Sequence, residues 1–424
     1  MFGSVAVSTH SIAEYEPVVG AAAIQELRAL AEPLRGIRIL ALSSPGASGA
    51  VRSLLQSSIP LLTDLGIEAH WQQVRVSAEH LGMDRDLRLA LSGYPVEWGP
   101  RIENEWREFN HANASLFDET FDIVVVHHTA SVGLYSALAQ IQGHPPAGVW
   151  LWDSHRDYRA ATPEAWSLMR MHADNFAASI YDYKPFIRLD APTKKRVVIP
   201  PGVDPLGPRS KPVTREVRET ILAQRGIAAD VPLLAQIVLS LREDDPMRVF
   251  ETYDLVKAHR PDVQLLIVNL LRDGKELTDA LNVLRKRSND TGGVHMLTEM
   301  DRVGNVELSA LRDQATVLLH HGMPRGISIE LLEEMWQSRP IVSGRSPVAE
   351  AVLVNSKTGI IADTPSEQAR AILRLLSRPE QAAKLGTAAH ERVANRYLVT
   401  HHLAGYLKLF QQLLRRSPGS RKRR

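Results

Sequence analysis

Short apolar runs recur along the chain, and most are followed by a stretch with apolar residues at helical spacing. In the first half the runs are Ile37 to Ser43 (IRILALS), Ile67 to Val76, Phe121 to His127 (FDIVVVH), Gly148 to Leu151, Ser179 to Tyr181 and Val197 to Ile199. Helical spacing marks Ala21 to Leu34, where Leu27, Leu30 and Leu34 share a face, and also Val51 to Leu65, Arg101 to Phe117 and Thr162 to Asp174. Tyr183 to Phe186 is expected to continue the alternation. After a rigid cluster, Pro200, Pro201, Gly202, Val203, Asp204 and Pro205, the pattern starts again. Strands are expected at Leu233 to Ser240, Val263 to Asn269, Val294 to Leu297, Val317 to Leu319 and Ile341 to Val342. Helices are expected at Thr214 to Arg225, Met247 to His259, Leu277 to Lys286, Glu307 to Ala315 and Ser328 to Gln337. Alternating strand and helix predicts an α/β fold with parallel sheets, repeated as two doubly wound domains.

The boundaries expected on this pattern are 1–205 for the first domain and 206–395 for the second. A helix at 396–414 follows, with a return to the N-terminal domain as one route open to it. The last residues, 415–424, form a basic tail short of apolar side chains, expected to be disordered. At 424 residues each half can bury its own core. Apolar residues make up 44% and charged residues 23%, and the net charge is only +2, so the folded body makes no demand for nucleic acid or a membrane surface. The chain has no cysteine, which excludes disulfides, thiolate metal sites and a cysteine nucleophile. The first residues lack a basic start and a long apolar core, so no signal peptide is read there. No run approaches the roughly 20 apolar residues of a membrane span. Cytoplasm is the default compartment.

Ligands of such folds dock at the carboxyl ends of the strands, which singles out the polar residues following each run. The first run opens into a loop with Gly46 and Gly49, where small residues and free N–H groups at a helix start favour an anion or polar ligand. The Phe121 to His127 run ends in His127 and His128; neighbouring histidines in an extended chain point to opposite sides and make poor joint metal ligands. The run at Gly148 leads to His155, Arg156 and Asp157, a polar rim suited to sugar hydroxyls; Arg156 and Asp157 pairing with each other is the alternative. In the second half, Leu233 to Ser240 leads to Arg242, which either holds a phosphate or pairs with Glu243, Asp244 and Asp245. The run at Val317 ends in His320 and His321, then Gly322, Pro324, Arg325, Gly326 and Ser328, then a helix bearing Glu330, Glu333 and Glu334. Arg325 near that helix start suits a phosphate, and a carboxylate in the helix suits sugar hydroxyls. Clamping a diphosphate leaving group with cations and backbone N–H groups stabilises developing charge.

Several of these stretches occur together in one family. Tyr15, Glu16 and Pro17 precede the segment Glu26 to Gly36; Gly46 and Gly49 stand in the first loop; His127 ends its strand. Trp150 with His155, Arg156 and Asp157 forms a WxxHxD-like stretch, followed by Pro163, Glu164, Ala165 and Trp166. Glu333, Met335 and Trp336 match an EAMW helix. From Tyr15 to the helix near Leu375 the chain resembles the retaining GT-B glycosyltransferases of family 4, closest to the trehalose synthase group. That resemblance implies two facing Rossmann-like domains, with the acceptor on the N-terminal one and the nucleotide sugar on the C-terminal one. It implies transfer of a hexosyl group, glucosyl by expectation, from UDP- or another NDP-glucose as co-substrate to a sugar or small hydroxylated acceptor. It implies catalytic roles for His127, Glu333 and Arg325. It implies donor contacts from Gly46, Gly49, Arg242, Gly326, Ser328 and Glu333, and substrate contacts from His155, Arg156 and Asp157. No separate cofactor and no metal are expected, and a homodimer stays open. The chain departs from the family in placing Arg325 where the first glutamate of ExxxxxxxE stands and Asp244 near the usual phosphate-loop lysine. Aspartate for lysine repels a diphosphate. The competing expectation is a divergent member that has lost ordinary transfer and either modifies a specialised metabolite or acts as a binding or scaffold protein.

Overall fold

Each half of the chain builds its own parallel sheet. The structure, a computed structural model, describes residues 2–45, 49–192, 194–237, 247–269, 274–321 and 329–415. It divides into two units, Met1–Gly202 with Val399–Arg424, and Val203–Leu398. The Pro/Gly cluster thus contains the division, and the final helix, Val399–Leu414, belongs to the N-terminal unit.

The N-terminal sheet has strands β1 (Gly3–Ser4), β2 (Arg38–Ser43), β3 (Glu68–Gln73), β4 (Ile123–Val126), β5 (Val149–Asp153), β6 (Ala178–Tyr181) and β7 (Arg196–Val198). They lie in the order β1-β3-β2-β4-β5-β6-β7, all parallel except the short β1 against β3. The C-terminal sheet has β8 (Leu233–Ile237), β9 (Gln264–Asn269), β10 (Val294–Thr298), β11 (Val317–His320), β12 (Ile341–Ser343) and β13 (Ile360–Ile361). Its order is β10-β9-β8-β11-β12-β13, parallel throughout. The continuous burial of β4, β8, β9 and β11 explains why their sequences run apolar without alternation: helices cover both faces.

Strand order places the ligand ends. In the first sheet the connections reverse direction between β2 and β4, and the amide of His127 donates to the carbonyl of Leu42 at 2.8 Å. In the second the reversal falls between β8 and β11, paired from Val317 opposite Leu234 to Leu319 opposite Gln236. Such switch points are where the crevice of an open α/β sheet forms.

Some expectations need correcting. Tyr183 to Phe186 does not continue the alternation; Lys184–Phe186 is a single 3-10 turn with Pro185 early in it, where the missing N–H costs nothing. Several helices were not read from the sequence, Ala78–Leu91, Leu134–Gln142 and Pro347–Val352 among them. Ala78–Leu91 buries only Met83, Leu87, Ala90 and Leu91, so its polar residues hide the helical period. Leu134–Gln142 follows a 3-10 turn directly and ends at Gly143, which takes the left-handed conformation at φ 72°. One helix runs without a break over Pro379–Arg396. Gly386 lets that helix pass close to another chain segment, since a Cβ there would stand 2.0 Å from the carbonyl oxygen of Ser338.

Candidate active site

The N-terminal unit gathers its buried polar side chains at the carboxyl ends of β4, β5 and β6. His127 is the first residue after β4, Asp153 ends β5, His155 lies two residues further, and Asp182 follows β6. All four are buried. His127 Nδ1 is 2.9 Å from His155 Nε2, with the rings near parallel at 11°. Asp153 Oδ2 is 3.4 Å from His127 Nδ1 and 3.2 Å from His155 Nε2. His155 Nδ1 meets Asp182 Oδ1 at 3.1 Å. The final helix adds two groups: the Tyr406 hydroxyl donates to Asp153 Oδ2, and His402 Nδ1 faces the carbonyl of Pro200 at 2.8 Å. His155 holds φ at 47°, a left-handed conformation that a non-glycine residue adopts at a cost, and that turns the chain directly after β5.

Burial drives the electrostatics here. It holds the His127 ring well below its ordinary value, with His155 and His402 adding to the effect. It also pushes the Asp153 carboxyl up, and Asp182 pushes in the same direction. Burial opposes a charge on His155, yet Asp153 and Asp182 together raise that imidazole above its usual range. At neutral pH the cluster therefore combines a neutral His127 with a protonated His155.

His128 turns the other way, as expected for vicinal residues in an extended chain. Its Nδ1 lies 2.8 Å from Ser131 Oγ and its Nε2 3.2 Å from Asp84 Oδ1. In the rim after β5, Arg156 reaches Ser92 Oγ at 2.7 Å, and Asp157 is bound by Arg159 at 2.8 Å. Gly49 opens the helix Gly49–Asp64 after β2; Gly46 lies outside the described residues.

In the C-terminal unit, Arg242, Arg325, Gly326 and Ser328 lie outside the described residues. The strands that precede them, β8 and β11, are hydrogen-bonded neighbours at the switch point. Glu333, on helix Ile329–Trp336, is buried between two cations: Arg209 Nη2 at 3.1 Å and Arg312 Nη2 at 2.8 Å from its Oε2. Arg312 is fully buried. Burial lifts the Glu333 carboxyl, and Arg209 and Arg312 pull against that. Next to it, Glu334 pairs with His320 at 2.9 Å. His321 is bracketed by Gln236 at 2.8 Å and Gln368 at 3.2 Å.

The structure therefore joins His127 with His155, gives Arg156 and Asp157 the partners Ser92 and Arg159, and gives Glu333 two arginine partners. Sequence reading missed Asp182, His402, Tyr406, Arg209 and Arg312. Asp182 carried the same mark as His127, a polar residue immediately after an apolar strand. His402 and Tyr406 are four apart on one face of the last helix, a spacing visible in the sequence. Nothing local marks Arg209 or Arg312. No helix among the described residues is long and apolar enough to cross a membrane.

Comparison with known proteins covers both units. Residues 41–188 match the family profile described as the trehalose synthase N-terminal domain, and residues 217–392 match glycosyl transferases group 1. The trehalose synthase of Rubrobacter xylanophilus is 26% identical over 412 residues, 95% of this chain and 97% of that protein. The trehalose synthase of Pyrococcus horikoshii is 25% identical over 408 residues, 94% of this chain and 96% of its relative. Among solved structures, a UDP-forming trehalose-phosphate synthase from Burkholderia xenovorans superimposes with a TM-score of 0.68 at 12% identity, covering 90% of this chain and 99% of that one. A sucrose-phosphate synthase from Thermosynechococcus elongatus gives 0.65 at 16% identity, covering 90% and 100%. These structures share the fold.

Proposed function

We propose that this chain, a GT-B glycosyltransferase close to the trehalose synthases, transfers a glucosyl group with retention from a nucleotide sugar to a sugar or small hydroxylated acceptor. The observation that carries the reading is the His127 cluster at the β4 end, beside the switch point of the N-terminal sheet. Transfer makes a bond from the acceptor oxygen to the sugar C1 and breaks the bond from C1 to the diphosphate. The acceptor proton leaves on the diphosphate, so no covalent enzyme intermediate is required. His127 meets the sugar, held in place by its contact with His155. Arg242 and Arg325, in the segments after β8 and β11, stabilise the charge growing on the diphosphate. Glu333 acts through Arg209 and Arg312, which it anchors.

The reading is tested by a thermal-shift panel of UDP-, ADP- and GDP-glucose with their nucleotides, followed by mass analysis of products formed with glucose and other polyols. A raised Tm with one donor series, and a product heavier than its acceptor by one hexosyl unit, is the expected result. His127→Ala should lower kcat/KM by about 100-fold, the scale of an interaction made at the reacting sugar. Absence of any hexosyl product across the panel overturns the proposal, as does a His127→Ala variant with unchanged kcat/KM.

A further inference from the structure

Two histidines of the N-terminal unit share one proton, and its position decides what His127 offers a ligand. His127 Nδ1 and His155 Nε2 are 2.9 Å apart, with the rings 11° from parallel and their centroids 5.2 Å apart. That centroid separation nearly equals the nitrogen–nitrogen distance plus two ring radii, so the nitrogens meet end to end along a single N–H···N bond. Two N–H groups facing each other repel, and two bare nitrogens make no bond, so one of the pair carries the proton. Asp182 Oδ1, 3.1 Å from His155 Nδ1, keeps a proton on that nitrogen. Asp153 Oδ2 accepts from the Tyr406 hydroxyl and stands 3.2 Å from His155 Nε2 and 3.4 Å from His127 Nδ1. His402, also buried, turns its Nδ1 to the carbonyl of Pro200.

With a proton fixed on His155 Nδ1, two arrangements remain. If His155 is protonated, its Nε2–H donates to His127 Nδ1, and a neutral His127 carries its own proton on Nε2. If His155 is neutral, its Nε2 is bare, the shared proton belongs to His127 Nδ1, and His127 Nε2 is bare. One proton on His155 thus exchanges a donor for an acceptor on the far side of the His127 ring. Burial works against the charge on His155, but Asp153 and Asp182 raise it to about 9, while burial keeps His127 neutral. The first arrangement is therefore the one present at neutral pH.

We propose that His155 is a positioning residue: held protonated by Asp182 and Asp153, it fixes His127 as the Nε2–H tautomer, so that His127 donates a hydrogen bond to a sugar oxygen. The inference rests on the reading that His127 meets the sugar, and goes further by naming the group it takes there, a hydroxyl or ring oxygen acting as acceptor. The charge one hydrogen bond behind His127 polarises that donor. A ring with its Nε2 already protonated takes no proton from the acceptor sugar, which agrees with departure of that proton on the diphosphate.

The experiment uses the full chain labelled with ¹⁵N-histidine and free of substrate. Long-range ¹H–¹⁵N spectra distinguish the two tautomers, and His127→Gln identifies the His127 signals. At pH 7 His127 should show a protonated Nε2 and a bare Nδ1, and His155 protons on both nitrogens. Above a pH of about 9 His127 should change to the Nδ1–H form. Asp182→Asn keeps an oxygen for His155 Nδ1 and removes its charge, so the crossover should move down by about one pH unit or more, the scale of one adjacent opposite charge. His155→Asn tolerates the left-handed backbone and should abolish the crossover. In wild type, kcat/KM for hexosyl transfer should fall about tenfold per pH unit above the crossover, and the fall should begin correspondingly lower in Asp182→Asn. A wild-type His127 with its proton on Nδ1 at pH 7 overturns the proposal. So does a crossover that persists in folded His155→Asn or stays in place in folded Asp182→Asn, or a kcat/KM that is level across it. The spectra need no turnover, so failure of the transfer reading shows as absent product with this tautomer pattern intact, and failure of the inference as the wrong tautomer.

Discussion

The two units bury charge in opposite ways. In the N-terminal unit, imidazoles and carboxylates gather at the strand ends, and neither Asp153 nor Asp182 is paired with a lysine or arginine among the described residues. In the C-terminal unit, Glu333 is enclosed by the guanidinium groups of Arg209 and Arg312, and Glu334 meets His320, so a full positive charge faces the buried Glu333 carboxylate even though Glu334 Oε1 and Arg312 Nε make no hydrogen bond. A carboxylate locked between two guanidinium groups is part of the frame, and a cluster of imidazoles and carboxylates that holds its charge through protons can exchange them with something else. Removing a member should therefore cost stability in the second case and binding in the first. Glu333→Ala is the largest expected effect. It leaves the fully buried Arg312 uncompensated, which typically costs 3–5 kcal/mol. Urea unfolding, followed on the transition of the C-terminal unit, measures it. A loss below about 1 kcal/mol would put Glu333 among side chains free to serve a ligand and remove the contrast between the units.

The pH dependence sharpens the same contrast. Burial holds the His321 ring down at about 4, from 6.5, and His320 and Arg248 add to the disfavour. The hydrogen bond to Gln368 works against that shift. Between those values the unfolded chain binds the extra proton and the folded chain does not, so stability falls as pH drops from 6.5 to 4 and is level below. Fully expressed, the window corresponds to about 3 kcal/mol. Comparing His321→Gln with wild type at pH 7 and pH 4.5 isolates it: the variant should lose less stability on acidification. Equal losses in the two proteins would mean that His321 titrates alike in both states.

Much of this was legible in the sequence because parallel strands buried on both faces announce themselves as unbroken apolar runs. FDIVVVH gave β4 and placed His127 at its end, and VLLHH did the same for β11 and His320. The helix Ala78–Leu91 was not legible, since only four of its side chains are buried. It supplies Asp84, the partner that turns His128 away from the cluster. The partners of Glu333 and Asp153 were hidden for another reason. Arg209, Arg312 and Tyr406 reach them across long stretches of chain, and periodicity reports only neighbours within an element. Local pattern located the strand ends; which distant side chain completes each one is a property of the packed fold.

Tyr406→Phe removes the hydroxyl that donates to Asp153 and leaves a buried carboxylate oxygen without its donor. The expected loss is about 1–2 kcal/mol, the scale of one unsatisfied buried acceptor. Thermal unfolding of the N-terminal unit reads it. A loss near zero would show that Asp153 finds its proton elsewhere, and would bring the N-terminal cluster closer to the closed arrangement around Glu333.

The smallest effect lies two residues further along the same helix. Lys408 reaches Glu26 at 2.9 Å, with both side chains more than half exposed. The pair joins segments far apart in sequence, as Tyr406 and Asp153 do, but in water rather than in the core. Water already solvates both ions and salt screens them, so Lys408→Ala should cost below about 1 kcal/mol, and less again at 1 M salt. Measuring both variants at low and high salt separates the two contacts: the Tyr406 loss should hold while the Lys408 loss fades. A Lys408→Ala loss equal to that of Tyr406→Phe and insensitive to salt would mean that docking of the last helix, rather than burial of its polar contacts, sets the stability of this unit.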